Sequence, residues 1–453
     1  MKRPAPPPDI HALERDLLRD PAKFVRVLTV REGARSSDPY LPWDKLRHKQ
    51  PPEGLTIEEW WFAIKSQRAR MLREVDLLDT SGAPFQFALP DALLRAVDRI
   101  SQEASGHLGI SEQVTNRSTR DRYVVSSLIE ESITSSQLEG ASTTRRVATD
   151  MLRSGRHPRD KSERMIVNNY RAMRRIGQLR NADLTPEMVC EIHRIVTEGT
   201  LDDPAAAGRI QDNLDPADRV AVLDTDDGRD RVLHQPPPVA ELEERLLRLC
   251  DFANASDEKT GPWVPPVLRA LTIHFMVGYD HYFEDGNGRT ARALFYWSML
   301  RQGFWVTEYL TISRILKDAP SKYAGSFLLT EQDGGDLTYF FDYHLKVVQR
   351  AIDDLNAYIA RKVAEIRAVH SLLAAAPGAY NHRQIALLEH AIKTPDGVFT
   401  VESHGNSHNI APETSRRDLL ELERCGFLQH VTVKRRHVWS PVPNLVETMK
   451  DSY

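Results

Sequence analysis

A histidine, two adjacent acidic residues, a Gly-Asn-Gly turn and two arginines fall between His281 and Arg292, in the order HYFEDGNGRTAR. Each residue type suits one part of a transfer reaction. An imidazole with an ordinary pKa of about 6.5 is mostly neutral near pH 7, so His281 can accept a proton. Asp285 offers hard oxygens of the kind that Mg²⁺ takes alongside phosphates. Gly286, Asn287 and Gly288 can present backbone N–H groups to an anion, and Arg289 and Arg292, three residues apart, share one helix face. A base, a metal-binding acid and an anion cradle in one segment describe transfer of a phosphorus-centred group to a hydroxyl. Each feature alone is commonplace as a cap, a turn or a solvated face; their conjunction carries the reading.

The flanking sequence must place these groups. The preceding run, VLRALTIHFMVGYD, is apolar at helical spacing. Glycine costs about 1 kcal/mol within a helix, so GNG breaks that run. RTARALFYWSML then starts a second helix near Arg289. The free N–H groups of a helix start and its dipole favour bound anions.

Helical runs dominate from about Ser111 to Ala368, including DRYVVSSLIEESITSSQLEG, SERMIVNNYRAMRRIGQL and TPEMVCEIHRIVTEG. Thr185 before Pro186 and Asp336 before a long run read as helix caps. One interruption, from Val220 to Leu233, alternates around Asp226-Asp227-Gly228 and is expected to form a β-hairpin. Upstream, IEEWWFAIKSQRARML reads as a helix, with Trp60 and Trp61 as packing residues. Downstream, HRQIALLEHAI and PETSRRDLLELERCG read as helices, the second stopped by Gly426. FLQHVTVKRRHVWSPV reads as two strands around Lys434-Arg435-Arg436, which together describe a winged helix-turn-helix. The expected division is an N-terminal region 1–106 of unassigned role, a catalytic domain 107–350, a linking helix 351–379 and a winged helix 380–453.

A chain of 453 residues exceeds one ordinary core, and 41% hydrophobic with 27% charged residues is a soluble globular balance. The net charge of −4 gives no whole-chain case for nucleic acid or an acidic membrane. Cys190, Cys250 and Cys425 are scattered without a CxxC pair, against a disulfide framework or zinc site. The first residues, MKRPAPPPDIHALERDLLRD, lack the apolar core of a signal peptide, and no segment resembles a membrane span, so a cytoplasmic location is expected. There is no Gly-Lys dipeptide for a Walker loop.

HYFEDGNGRTAR resembles the HxFx(D/E)GN(G/K)RxxR signature of Fic (Fido-fold) proteins, which mostly transfer AMP from ATP to protein side chains. All specified positions match, although the residue after the histidine, usually proline, is Tyr282. The likeness extends over roughly Ser111 to Val348. It implies a mainly α fold, a Fic helical bundle with a small hairpin flap, followed here by the winged helix. It implies His281 as general base toward a Ser, Thr or Tyr hydroxyl, and Mg²⁺ held by Asp285. Gly286, Asn287 and Gly288 would form an anion hole, Arg289 and Arg292 would bind the outer phosphates, and the hairpin would register the target by strand addition. Glu284 has no assigned role.

Ser135 to Gly140, SSQLEG, matches the family's inhibitory pattern (S/T)xxxE(G/N). Glu139 would pair with Arg292 in place of the γ-phosphate. Plain helix capping by Gly140 is the simpler alternative, and related enzymes also use this glutamate to remove AMP. The resemblance therefore implies an autoinhibited adenylyltransferase with ATP and Mg²⁺, acting on a target protein or on itself, and it admits a homodimer. Arg416, Arg417 and Lys434 to Arg436 admit DNA, and a DNA-binding regulator with a nucleotide-sensing Fic domain is the alternative function. From Ser371 to Tyr453, however, nine Lys/Arg meet nine Asp/Glu, unlike a strong nonspecific DNA binder.

Overall fold

Two helices buried on nearly every side, Pro266–Asp280 and Asn287–Arg301, form the centre on which the signature segment hangs. The first is apolar nearly all round, and the second buries Arg289 and Arg292 along with its apolar residues, so neither keeps a solvent face. The computed structural model describes residues 3–29, 39–106, 117–213, 222–224, 231–255, 263–375, 380–393, 397–433 and 436–451. They fall into two compact units, residues 3–106 with 120–353, and residues 117–119 with 354–451. The protein is mainly α, with short strands.

In the first unit, the central pair is flanked by helices Lys161–Leu179, Pro186–Thr197 and Leu242–Asn254. Thr185 caps its helix by accepting from the Met188 N–H at 3.2 Å, and Asp336 accepts from the Thr338 N–H at 3.0 Å where the helix Thr338–Ala375 begins. The helix Arg117–Leu138 carries the SSQL stretch at its end, and Gly140 (φ 91°) turns the chain away. Trp60 and Trp61 lie on the helix Ile57–Arg68, which opens with a Thr56–Glu59 capping box. Both are buried, in a core shared with Leu17, Val27 and Phe62.

Strands β1 (Arg73–Leu78) and β2 (Pro84–Phe87) make an antiparallel hairpin in the N-terminal region. The sequence reading missed it because the second run is four residues long and begins with proline, which weakens a strand signal. The turn is nonetheless explicit: Asp79 Oδ1 accepts from the Ser81 and Ala83 N–H groups at 2.7 and 2.9 Å, and Gly82 takes φ 82°. Strands β3 (Val222–Asp224) and β4 (Arg231–His234) pair antiparallel, as expected of the interruption. Val220 and the Asp226-Asp227-Gly228 turn lie outside the described residues. The end of β4 is fastened by His234, whose Nε2–H donates to the Tyr279 carbonyl at 2.6 Å while Nδ1 faces Glu331 at 2.8 Å.

In the second unit, helices His382–Lys393, Val401–His408 and Pro412–Arg424 precede an antiparallel hairpin of β5 (Leu428–Val433) and β6 (Arg436–Pro441). Leu388, Leu419, Phe427, Trp439 and Met449 lie in its core. The Val401–His408 helix has no sequence periodicity to announce it: VESHGNSH is polar, and Gly405 is buried against the Ile410 carbonyl. Asn409, at φ 50°, turns the chain into the next helix. On that helix Asp418 points inward and accepts from Arg383 (2.8 and 3.1 Å) and Asn381 (2.9 Å). Arg416, Arg417 and Arg424 face solvent, whereas Lys434 and Arg435 lie outside the described residues.

Candidate active site

The loop starts where the helix Pro266–Asp280 ends. His281 caps that helix in the left-handed conformation (φ 51°, ψ 53°), a costly state for a residue with a Cβ. It is held from both sides. The Gln211 side chain donates to the His281 carbonyl at 2.6 Å, and the Gln211 backbone donates to the Tyr282 carbonyl at 2.9 Å. His281 Nδ1–H donates to the Gly278 carbonyl at 3.2 Å, so Nε2 carries the lone pair of the neutral ring. Burial pushes the His281 pKa below the ordinary imidazole value, although the Gly278 bond and the charges of Glu139 and Asp285 oppose this. That environment keeps the ring neutral and able to accept a proton.

Asn287 staples the loop rather than facing outward. Its Oδ1 accepts from the Phe283 N–H at 3.1 Å and its Nδ2 donates to the Phe283 carbonyl at 2.7 Å. Only its backbone N–H, with those of Gly288 and Arg289 at the start of the helix Asn287–Arg301, has no intrahelical carbonyl to meet. Gly286 precedes that helix at φ 84°, and a Cβ there would stand 2.6 Å from Thr197 Cγ2, so glycine is required twice over. Asp285 is 58% exposed at its side chain. Its Oδ1 accepts the Gly286 N–H at 2.6 Å, and its Oδ2 lies 3.8 Å from Arg289.

Both arginines are almost fully buried, at 1% exposure. Arg289 donates to the Val196 carbonyl at 2.8 Å, leaving its Nε without a partner. Arg292 donates through Nε to Ser135 Oγ at 2.8 Å, and through Nη2 to the Ser135 carbonyl at 3.1 Å and Glu139 Oε1 at 2.8 Å. Its Nη1 is buried without a partner. Buried guanidinium N–H groups without acceptors are costly, and here they mark where an anion fits. Glu139 already lies there: a Cβ on Gly288 would collide with Glu139 Oε1 and stand 3.1 Å from Arg292 Nη1. The structure thus pairs Glu139 with Arg292, and Gly140 caps the same helix.

Several supporting residues were not singled out from sequence. His193 stacks flat on Phe283 (3.7 Å between ring centres) and accepts from the Gly208 N–H at 2.9 Å, which leaves its Nε2–H to donate to the Asp285 carbonyl at 2.8 Å. Burial lowers its pKa to about 4, against the Asp285 bond. Ser135 was visible only as the first position of the SSQLEG pattern. Tyr282, in place of the usual proline, donates its hydroxyl to Asp280 Oδ2 at 2.6 Å.

The residues suit an ATP-borne phosphate chain: a neutral base, unsatisfied guanidinium N–H groups and a helix start belong to one segment, His281 to Arg292. They also suit Mg²⁺ shared with phosphates, because Asp285 is an exposed acceptor beside the cradle. Among the described residues no cluster of three or more His, Cys, Asp or Glu could hold a metal by itself, and no helix is long and apolar enough to cross a membrane.

Residues 183–299 match the family model described as Fic/DOC family. The chain is 28% identical over 181 residues to a Nematostella vectensis protein named protein adenylyltransferase Fic, covering 40% of this chain and 35% of that one. It is 26% identical over 235 residues to protein adenylyltransferase fic-1 of Caenorhabditis elegans, covering 51% of this chain and 42% of that one. It therefore spans well under half the length of these relatives. A Fic family protein from Desulfovibrio desulfuricans superposes over 78% of this chain and 97% of its own, with a TM-score of 0.51 at 14% identity, a likeness of fold. The segment from 183 to 299, which carries His281, Asp285 and both arginines, is a Fic/DOC family domain.

Proposed function

We propose that the protein is an autoinhibited adenylyltransferase that moves AMP from ATP to a Ser, Thr or Tyr hydroxyl of a target protein. The observation that carries this is the Glu139 carboxylate bound to Arg292 at 2.8 Å above Gly288: the cradle binds an anion, and the chain's own carboxylate occupies it. The target hydroxyl gives its proton to His281 Nε2 while its oxygen attacks the α-phosphorus. The bond from that phosphorus to the bridging oxygen breaks, and pyrophosphate leaves. The N–H groups of Asn287, Gly288 and Arg289 stabilise charge on the phosphate oxygens. Arg292 Nη1 reaches the terminal phosphate once Glu139 withdraws. Asp285 would hold Mg²⁺, which when bound neutralises phosphate charge. The β3–β4 hairpin, fastened at its end by His234, would align the target segment by strand addition.

The decisive experiment incubates full-length wild type, Glu139→Gly and His281→Ala with Mg²⁺ and α-labelled ATP and scores label on protein. Label that rises in Glu139→Gly and is absent in His281→Ala supports the transferase. No label in any variant, with ATP binding retained, would refute it.

A second reading, DNA binding by the second unit, is favoured by one observation: Arg416, Arg417 and Arg424 all face solvent on the Pro412–Arg424 helix. Sequence-specific gel shifts that vanish in Arg416→Ala/Arg417→Ala would support it.

A further inference from the structure

The residue after His281 breaks the family habit, and what replaces proline is a chain of buried groups. The Tyr282 hydroxyl donates to Asp280 Oδ2 at 2.6 Å, and Asp280 Oδ1 accepts from Arg245 Nε at 2.8 Å. Both Tyr282 and Asp280 are completely buried, and they flank His281 directly. Arg245 uses its remaining guanidinium edge on the β1–β2 turn, donating to the carbonyls of Leu78 and, at 3.3 Å, Asp79. The same turn also grips the last turn of the helix that leads into the loop, because the Thr80 N–H donates to the Tyr279 hydroxyl at 3.0 Å.

The turn is itself rigid. Asp79 closes it through three short bonds, to the Ser81 N–H (2.7 Å), Ser81 Oγ (2.7 Å) and the Ala83 N–H (2.9 Å). Strand β2 is tied to the chain beyond residue 334 by the Gln86 N–H to the Gly335 carbonyl (3.1 Å) and the Leu337 N–H to the Gln86 carbonyl (2.8 Å). Phe85 packs edge-on against Phe275 and Tyr279. The hairpin is therefore a fixed point, and its carbonyls accept from the guanidinium of Arg245, which also reaches Asp280.

We propose that Tyr282, Asp280 and Arg245 are positioning residues for His281, and that the N-terminal β1–β2 hairpin is the fixed point from which they hold it. The proposal rests on the transferase reading for its kinetic consequence, not for its geometry. Left-handed backbone at a non-glycine residue persists only where its surroundings over-determine it. Gln211 fixes the carbonyls of residues 281 and 282; the Tyr282–Asp280–Arg245 chain fixes the side-chain flank. A base displaced by a fraction of an ångström loses rate without losing nucleotide affinity, because the phosphates are held elsewhere, by the helix start and the arginines.

The test compares full-length Glu139→Gly protein with the same protein carrying Tyr282→Phe, which deletes one hydroxyl, or Asp79→Ala, which loosens the remote turn. Expected for Tyr282→Phe is a kcat for self-labelling about tenfold lower, with the KM for ATP unchanged within about twofold. Asp79→Ala should lower kcat about threefold to tenfold in the same pattern. Histidine-labelled protein supplies a readout that needs no activity: the His281 ring resonance, assigned by its absence in His281→Ala, should move in both variants. Unchanged kcat with an unmoved resonance overturns the proposal. So does a kcat loss matched by an equal rise in KM and a large drop in melting temperature, the pattern of a merely structural role. If the Glu139→Gly parent labels nothing, the transferase reading fails, and the resonance alone decides the positioning.

Discussion

Glu139→Gly removes one bond from Arg292 and leaves two. The guanidinium keeps Ser135 Oγ at 2.8 Å and the Ser135 carbonyl at 3.1 Å, so it stays in place while its charged partner goes. A hydrogen bond to a charged group is worth about 1.5–3 kcal/mol, and each 1.4 kcal/mol is tenfold, so ATP should gain about 10- to 100-fold in apparent affinity. The gain should be at the upper end, because Arg292 is 1% exposed and water screens the pair little. Glu139→Gln supplies the internal control: it can keep a weaker hydrogen bond from the guanidinium without the carboxylate's charge, so a smaller relief of about threefold to tenfold is expected. Calorimetric titration with ATP and self-labelling with α-labelled ATP should rank the three proteins Gly, Gln, wild type. A Glu139→Gly protein that melts normally yet binds ATP no better than wild type would refute the reasoning. So would a Gln variant as closed as wild type, since the charge would then be doing nothing.

Three other outcomes follow from the same coordinates. Gly288→Ala in the Glu139→Gly background should cost at least about tenfold in ATP affinity, because its Cβ would stand 3.1 Å from the Arg292 Nη1 that a phosphate must reach; calorimetry showing unaltered affinity would contradict this. His344 is buried with its pKa pushed down to about 3, so the unfolded chain binds the extra proton first, and stability should fall as pH drops from about 6.5 toward 3. His344→Phe should flatten that acid limb in melting curves. Asp418 sits in the second unit, where burial alone would raise its carboxyl but Arg383, Asn381 and His404 hold it below the usual range. Its contribution is therefore present above about pH 4 and lost as pH falls through the depressed value. Asp418→Ala should destabilise the second unit at neutral pH by about 1–3 kcal/mol, because Asp418 accepts from Arg383 and Asn381, and melting curves should show a lower midpoint.

What the sequence made legible was local. The helix–loop–helix around HYFEDGNGRTAR, the Thr185 and Asp336 caps, the paired strands that end at His234 and the helix ending near Glu139 all depend on residues a few positions apart. Hydrophobic period, glycine and capping chemistry report on that range. His193 and Asp285 are 92 positions apart, and Gln211 and His281 are 70 apart; no spacing rule connects them. The polar helix Val401–His408 was hidden for a different reason: its place comes from Gly405 lying close against the Ile410 carbonyl, not from an apolar face. Asn287 shows a subtler gap. The expectation concerned its backbone N–H and left its side chain without a role, whereas that side chain accepts from and donates to the Phe283 backbone.

The helix Arg117–Leu138 is not a detachable plug, which limits how the proposed lock could open. Besides Glu139, it supplies both Ser135 contacts to Arg292. Further back it buries Glu131, whose carboxylate accepts from the Ser313 N–H at 3.1 Å and from the Ser313 hydroxyl. Burial raises the Glu131 pKa despite those bonds, a sign that the carboxylate is deep in the unit. Withdrawing the helix would strand Arg292 without acceptors and strand the Ser313 donors as well, each a cost of about 1–3 kcal/mol or more. Swinging the Glu139 side chain alone breaks one bond, at a residue already past the helix end, beside Gly140 at φ 91° and with 26% of its side chain exposed. In the proposed autoinhibited transferase the cheaper route would be local: ATP would compete with a single carboxylate for Arg292 while the helix stays and keeps that arginine in place.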